Sequence, residues 1–214
     1  MKKNFSNAKF NSAHMIIYGF LAAILIGTLI LMLPVCSASG QWTDFVTALF
    51  TATTSTCVTG LVVVPTYAYW SVVGKCVILI LIQLGGLGII SIVTGVLIIT
   101  GKRITLKERK LIQESYSLDT GKGIIRHIRK IFFITFLLEI TGAVLYSIKF
   151  IPQFGIIKGA LYSIFHSVSA FCNAGLDLIG ENSFIPYQGD VLINLTTVSV
   201  SYTHLRAHET RRHL

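Results

Sequence analysis

Long apolar runs separated by short polar interruptions set the pattern of this chain. Residues 15–33 are apolar throughout, about the length that crosses a bilayer, and Pro34 with the following Cys-Ser-Ala-Ser-Gly ends them. QWTDFVTALFTATTST (41–56) comes next. Thr43 or Asp44 is placed as an N-cap, and Phe45, Leu49 and Phe50 follow at helical spacing. A helix of about ten residues cannot span, so the pattern predicts one that enters the membrane, stops halfway and ends at Gly60. Residues 61–64 return outward in extended form, and 65–70 form an outer loop with interfacial aromatics. A second span is expected over 72–100, interrupted by Gly85, Gly86 and Gly88.

The order then repeats. Residues 131–151 predict a third span ending near Pro152, residues 157–170 a second short helix, 171–176 a second break and 177–190 an outer loop. Residues 191–200 begin a fourth span. An offset of 115 residues places Phe50 on Phe165, Cys57 on Cys172, Gly60 on Gly175 and Leu61 on Leu176. Identities at the same break in the same helix order point to an internal repeat. The expected fold is therefore an all-α polytopic membrane protein. It has repeated units of helix, pore helix, filter loop and helix, one complete and one truncated in its last helix.

Composition agrees with a membrane protein: 53% of residues are hydrophobic and 13% charged. The net charge of +9 matters through its placement. Nine of the eighteen Lys and Arg lie in residues 102–130 and three more in the first nine, so both segments are expected on the cytoplasmic side. That divides the chain into a cytoplasmic N-terminus (1–14), a first unit (15–100), a basic cytoplasmic loop (101–130), a second unit (131–200) and a tail (201–214). Thr105 and Glu108 fit a capping box inside the loop. The basic runs 107–110 and 126–130 read as topology signals rather than as a nucleic-acid surface. The tail, SYTHLRAHETRRHL, reads as a non-native terminus, with a short genuine cytoplasmic end as the alternative.

The breaks carry the candidate chemistry. Irregular backbone at membrane depth is tolerated only where protein buries it or it lines a watery path. Rings of carbonyl oxygens can replace the hydration shell of a cation. Short helices aimed inward present their partly negative C-terminal ends to it. Cys57, Val58, Thr59 and Gly60, and then Cys172, Asn173, Ala174 and Gly175, are the candidate ion-coordinating positions, with uncharged side chains throughout. Asp177 stands just outside the second loop, either drawing cations to the mouth or capping local backbone. Glu139, an acid inside a span, is read as structural pairing or as part of an ion path. His166 reads as a packed, hydrogen-bonded group. Gly85-Gly86-Leu87-Gly88 lacks the strand and spacing of a phosphate loop and reads as close helix packing. The four cysteines have no metal-ligand spacing, Asn194-Leu-Thr196 lies inside a span and carries no glycosylation meaning, and no catalytic spacing is present, so an enzyme is not expected.

With these motifs in view, the chain resembles the superfamily of Trk, Ktr and HKT potassium transporters. CVTGLVVV, QLGGLGI, GKRITLKER and HSVSAFCNAGLDL are most similar to the Ktr membrane subunit, over about residues 15–198. The resemblance implies four such units around one pore, each supplying one glycine-containing filter strand, here at Gly60 and Gly175. It also implies potassium uptake across a bacterial cytoplasmic membrane with the N-terminus inside. No covalent cofactor is expected, and K+ is the transported ion, with Na+ as a coupling or activating ion. The implied partners are the lipid bilayer, a second copy in a homodimer and a cytoplasmic ring of nucleotide-binding regulatory subunits, without nucleic acid. The chain's departure from the family is that two filter strands are present. A membrane scaffold or assembly subunit is the competing expectation.

Overall fold

The computed structural model describes residues 12–88, 91–92, 94–95 and 124–209. The capping box at 105–108, most of the basic loop and the inner part of the second expected span lie outside these residues. The described residues are helical, with no strand among them and one isolated bridge, Ser37 to Trp70.

Helix α1 (Ser12–Leu31) precedes a single 3-10 turn at Pro34–Cys36. The pyrrolidine ring disfavours helical backbone in the residue before it, and Leu33 is accordingly extended (φ −65°, ψ 141°). Helix α2 (Phe45–Cys57) is capped by Asp44 and not by Thr43. The Asp44 carboxylate accepts the N–H groups of Val46 (3.0 Å) and Thr47 (3.4 Å). After the four-residue α3 (Thr66–Tyr69), Ser71 caps α4 (Val72–Leu87) by accepting the Gly74 N–H at 3.2 Å. The helix runs unbroken through Gly85 and Gly86 and stops at Gly88, which alone adopts positive φ (79°).

Helix α5 (Ile124–Phe154) starts well before residue 131, because Arg126, Arg129 and Lys130 favour helix as readily as the apolar residues that follow. It runs on through Pro152 and breaks at Gly155 (φ 81°). Helix α6 (Ile156–Phe171) follows directly, and after a second 3-10 turn at Ile185–Tyr187 the described residues end in α7 (Val191–Glu209). The expected half-span at 191–200 is thus part of a longer helix.

Helix α1 packs on α2 and α4, and α5 and α7 pack on α6. Helix α4 also touches α6, so both halves of the chain share one core: Leu31, Trp70, Ile78 and Ile82 from the first, Phe165, Val168, Ala174 and Leu176 from the second. The outward faces are apolar. Helix α1 exposes Ile17, Leu21, Ile26 and Leu29, and α5 exposes Phe133, Leu137, Ile140, Val144 and Ile148. Apolar faces of this extent need lipid around them, which marks a membrane protein. Among the described residues, Ile128–Phe154 is long and apolar enough to cross a bilayer. Ile16–Leu31, Val72–Leu87, Ile156–Phe171 and Val191–Thr203 are shorter apolar helices.

Candidate ion pathway

Helix α2 carries a run of hydroxyls into the protein interior. Thr51, Thr54, Ser55 and Thr56 are all buried. Most are satisfied locally: Thr51 Oγ1 donates to the Thr47 carbonyl at 2.8 Å and Ser55 Oγ to that of Thr51 at 2.7 Å. Such back-bonding lets a polar helix sit in a dry environment. Thr56 Oγ1 is buried without a partner among the described residues.

The expected end at Gly60 is corrected. Helix α2 stops at Cys57, and its C-cap is Val58 in left-handed backbone (φ 57°, ψ 44°). A β-branched residue there is strained and persists only when its surroundings impose it. The equivalent position after α6, Asn173, has φ 58°, and Gly60 and Gly175 have φ 74° and 68°. The hydrogen bonds correspond as well. Thr59 N–H donates to the Thr54 carbonyl at 3.1 Å, and Ala174 N–H to that of Ser169 at 2.8 Å. Leu61 N–H donates to Thr54 Oγ1 at 3.0 Å, while Ser169 Oγ donates to the Leu176 carbonyl at 2.7 Å. At an offset of 115 residues the two loops therefore share backbone conformation and tethering, although few of their side chains match.

The loops meet at their glycines. A Cβ placed on Gly60 would lie 2.8 Å from the Ala174 carbonyl oxygen and 3.3 Å from Gly175 Cα, and one on Gly175 would lie 3.5 Å from Gly60 Cα. Only glycine suits both the positive φ and this approach. Helix α4 holds the two loops together from one side. A Cβ on Gly85 would strike the Thr56 carbonyl, and one on Gly86 would stand 2.6 Å from Cys172 Cβ. The pair of glycines serves close packing, as their small size suggests.

Of the remaining candidates, Asp177 is engaged by its own loop: Oδ1 accepts the Ile179 N–H (3.1 Å) and Oδ2 the Ser183 hydroxyl (2.6 Å). His166 is buried among Tyr146, Phe150, Phe165 and Phe184. Its Nε2 accepts the Leu178 N–H at 3.2 Å, which leaves Nδ1 to donate to the Tyr162 carbonyl at 2.6 Å. The ring thus straps the segment after the second loop to α6. Asn173 receives the Ser201 hydroxyl from α7, and a cavity of about 270 Å3 flanks this loop between Tyr146, His166, Thr197 and Ser201. Glu139 is buried at 6% exposure and bonded to Gln83. The signal for Gln83 was a lone amide in an apolar run. Cys57 is exposed and Cys172 buried, with no group of three or more His, Cys, Asp or Glu suited to a metal among the described residues.

The TrkH family, described as cation transport protein, matches residues 3–202. The potassium/sodium uptake protein NtpJ of Enterococcus hirae is 40% identical over 174 residues, 81% of this chain and 39% of that protein. The Ktr system potassium uptake protein B of Bacillus subtilis is 40% identical over 188 residues (87% and 41%), and that of Vibrio alginolyticus 34% over 189 (88% and 41%). The chain spans about two-fifths of the length of these curated relatives. All three are transport proteins by name.

Proposed function

The chain belongs to the TrkH family of cation transport proteins, and on that premise we propose that it supplies two strands of a carbonyl-lined potassium filter. One observation carries this reading: two short helices, related by an offset of 115 residues, end in matching left-handed turns and bring Gly60 and Gly175 into contact. Carbonyls of residues 57–60 and 172–175 then coordinate a dehydrated cation, aided by the negative ends of α2 and α6. Residues 15–100 and 131–200 are two repeated helix, pore-helix, loop, helix units. Asp177 lies at the outer mouth, where its carboxylate adds negative potential while it caps its loop.

The substrate is K+, the ion named for the Ktr relatives; the name of the Enterococcus hirae relative adds sodium, which supports Na+ as a coupling or activating ion. The basic residues of 1–14 and 101–130 favour a multi-pass arrangement in a bacterial cytoplasmic membrane with the N-terminus inside. A homodimer and a cytoplasmic nucleotide-binding ring are the partners proposed from the resemblance. The scaffold alternative gains no specific observation, since a scaffold has no use for two costly breaks at membrane depth.

The test is to replace Gly60 and Gly175 by alanine, singly and together, in the full-length gene product, in a bacterium lacking other potassium uptake. Each alanine is strained at positive φ, and at Gly60 it also meets the Ala174 carbonyl. Loss of growth at low potassium, with protein still present in the membrane, is expected. Growth equal to the parent with both substitutions would overturn the filter assignment.

A further inference from the structure

Glu139 has no part in the filter reading, yet it sits where three helices cross. Its Oε1 accepts Gln83 Nε2–H from α4 at 2.7 Å, and its backbone carbonyl accepts Ser167 Oγ–H from α6 at 2.6 Å. With its amide nitrogen committed to Glu139, Gln83 must turn Oε1 the other way, where the Cys172 thiol donates to it at 3.4 Å. Cys172 is the first residue of the second loop, and Gly86, one turn beyond Gln83 on α4, packs against its side chain. The chain Glu139, Gln83, Cys172 thus runs from α5 through α4 to the root of that loop. It has no counterpart in the first half: the residue 115 before Glu139 is Ile24, and the residue 115 after Gln83 is Val198. Among the described residues the ion pair present is Lys149 with Asp190, so Glu139 is held by neutral partners. A buried acid and amide in a membrane interior are costly to keep where apolar residues of the same size would pack. What such a pair adds is one defined register between the helices that carry it.

We infer that Gln83 and Glu139 are positioning residues for the second loop: they set the seat of Cys172, and through it the placement of the carbonyls from Asn173 to Gly175. The inference rests on the filter reading, and its test separates the two. In the full-length gene product, the K+/Na+ uptake ratio is measured for Glu139→Gln, Glu139→Met, Gln83→Met, the double Gln83→Met/Glu139→Met and, as reference, Gly175→Ala. Glutamine keeps an acceptor for the Gln83 amide, so Glu139→Gln should hold the ratio within about twofold, whereas Glu139→Met and Gln83→Met should lower it roughly tenfold, the scale of leaving one buried polar partner unpaired. The double variant leaves only the Cys172 thiol, a weak donor, without its acceptor, so it should reach the membrane at parental abundance and still lose the preference. Maleimide labelling of Cys172, read by mass spectrometry on the peptide that carries it so that no other cysteine is replaced, should rise in both methionine variants and stay low in Glu139→Gln. A retained ratio in the double variant, with Gly175→Ala impaired, overturns the inference and leaves the filter standing. A ratio unmoved in Gly175→Ala as well overturns both. Equal damage from Glu139→Gln and Glu139→Met shows that charge, not position, matters and overturns the positioning role.

Discussion

Gly85 and Gly86 are neighbours that face different loops, and what each would strike differs. A Cβ on Gly85 runs into backbone, the Thr56 carbonyl, with the carbonyl carbon 2.9 Å away. On Gly86 it runs into the side chain of Cys172, its Cβ at 2.6 Å and its Cα at 3.3 Å. A side chain can shift where a helix end cannot. Gly85→Ala should therefore cost ~3 kcal/mol and Gly86→Ala ~1 kcal/mol, the two ends of the usual overpacking range. Thermal unfolding of the purified protein in detergent checks the order, and a larger loss at Gly86 would mean the α4 contacts are assigned to the wrong loops. At this scale the glycines were legible from sequence as small residues for close packing. Their separate partners were not, because Thr56 and Cys172 are far from them along the chain. Val58 was illegible too: nothing in a valine announces left-handed backbone, which the surrounding packing imposes.

Among the elements, α5 near its C-terminal end and α7 at its start are joined by an ion pair. Lys149 Nζ lies 2.6 Å from Asp190 Oδ2, while Oδ1 accepts the N–H groups of Leu192 (3.0 Å) and Ile193 (3.2 Å) at the start of α7. The Lys149 ammonium first, and then the Ile193 N–H, hold the Asp190 carboxyl below its ordinary pKa, because both favour the ionised form. The stability this contributes is fully present above the ordinary aspartate value and is lost as pH falls through the lowered one. Asp190→Asn keeps an oxygen for the cap but no charge. The expected result is a shallower loss of thermal stability on acidification, read from melts across the acid range; an unchanged slope would show the pair contributes nothing. The existence of α1, α2, α6 and α7 was readable from apolar spacing and caps. Their ends were less so: α2 stops before its glycine, and α5 takes in residues assigned to a loop, since charged residues of good helix propensity do not stop a helix.

For the whole molecule, the apolar outward faces predict where lipid lies. Nitroxide labels at Val144 and Ile148, both more than half exposed, should collide with oxygen dissolved in the bilayer. Labels at Tyr146 and Phe150, at 1% and 0%, should be shielded. Equal oxygen accessibility at all four positions in reconstituted vesicles would contradict the packing of α5 on α6. The match to the TrkH family covers residues 3–202, and the chain spans about two-fifths of the length of the curated relatives it matches.

Sequence by itself determined the helical class, the membrane setting, the two breaks and their offset, because apolar run length, glycine placement and charge asymmetry are local properties that act wherever the chain folds. Tertiary structure alone decided that Gly60 and Gly175 touch, that α4 seats both loops, that His166 straps Leu178 and that Gln83 joins Glu139 to Cys172. Most of these contacts join positions distant in the chain, whose meeting depends on how whole helices dock, and no local pattern encodes the docking.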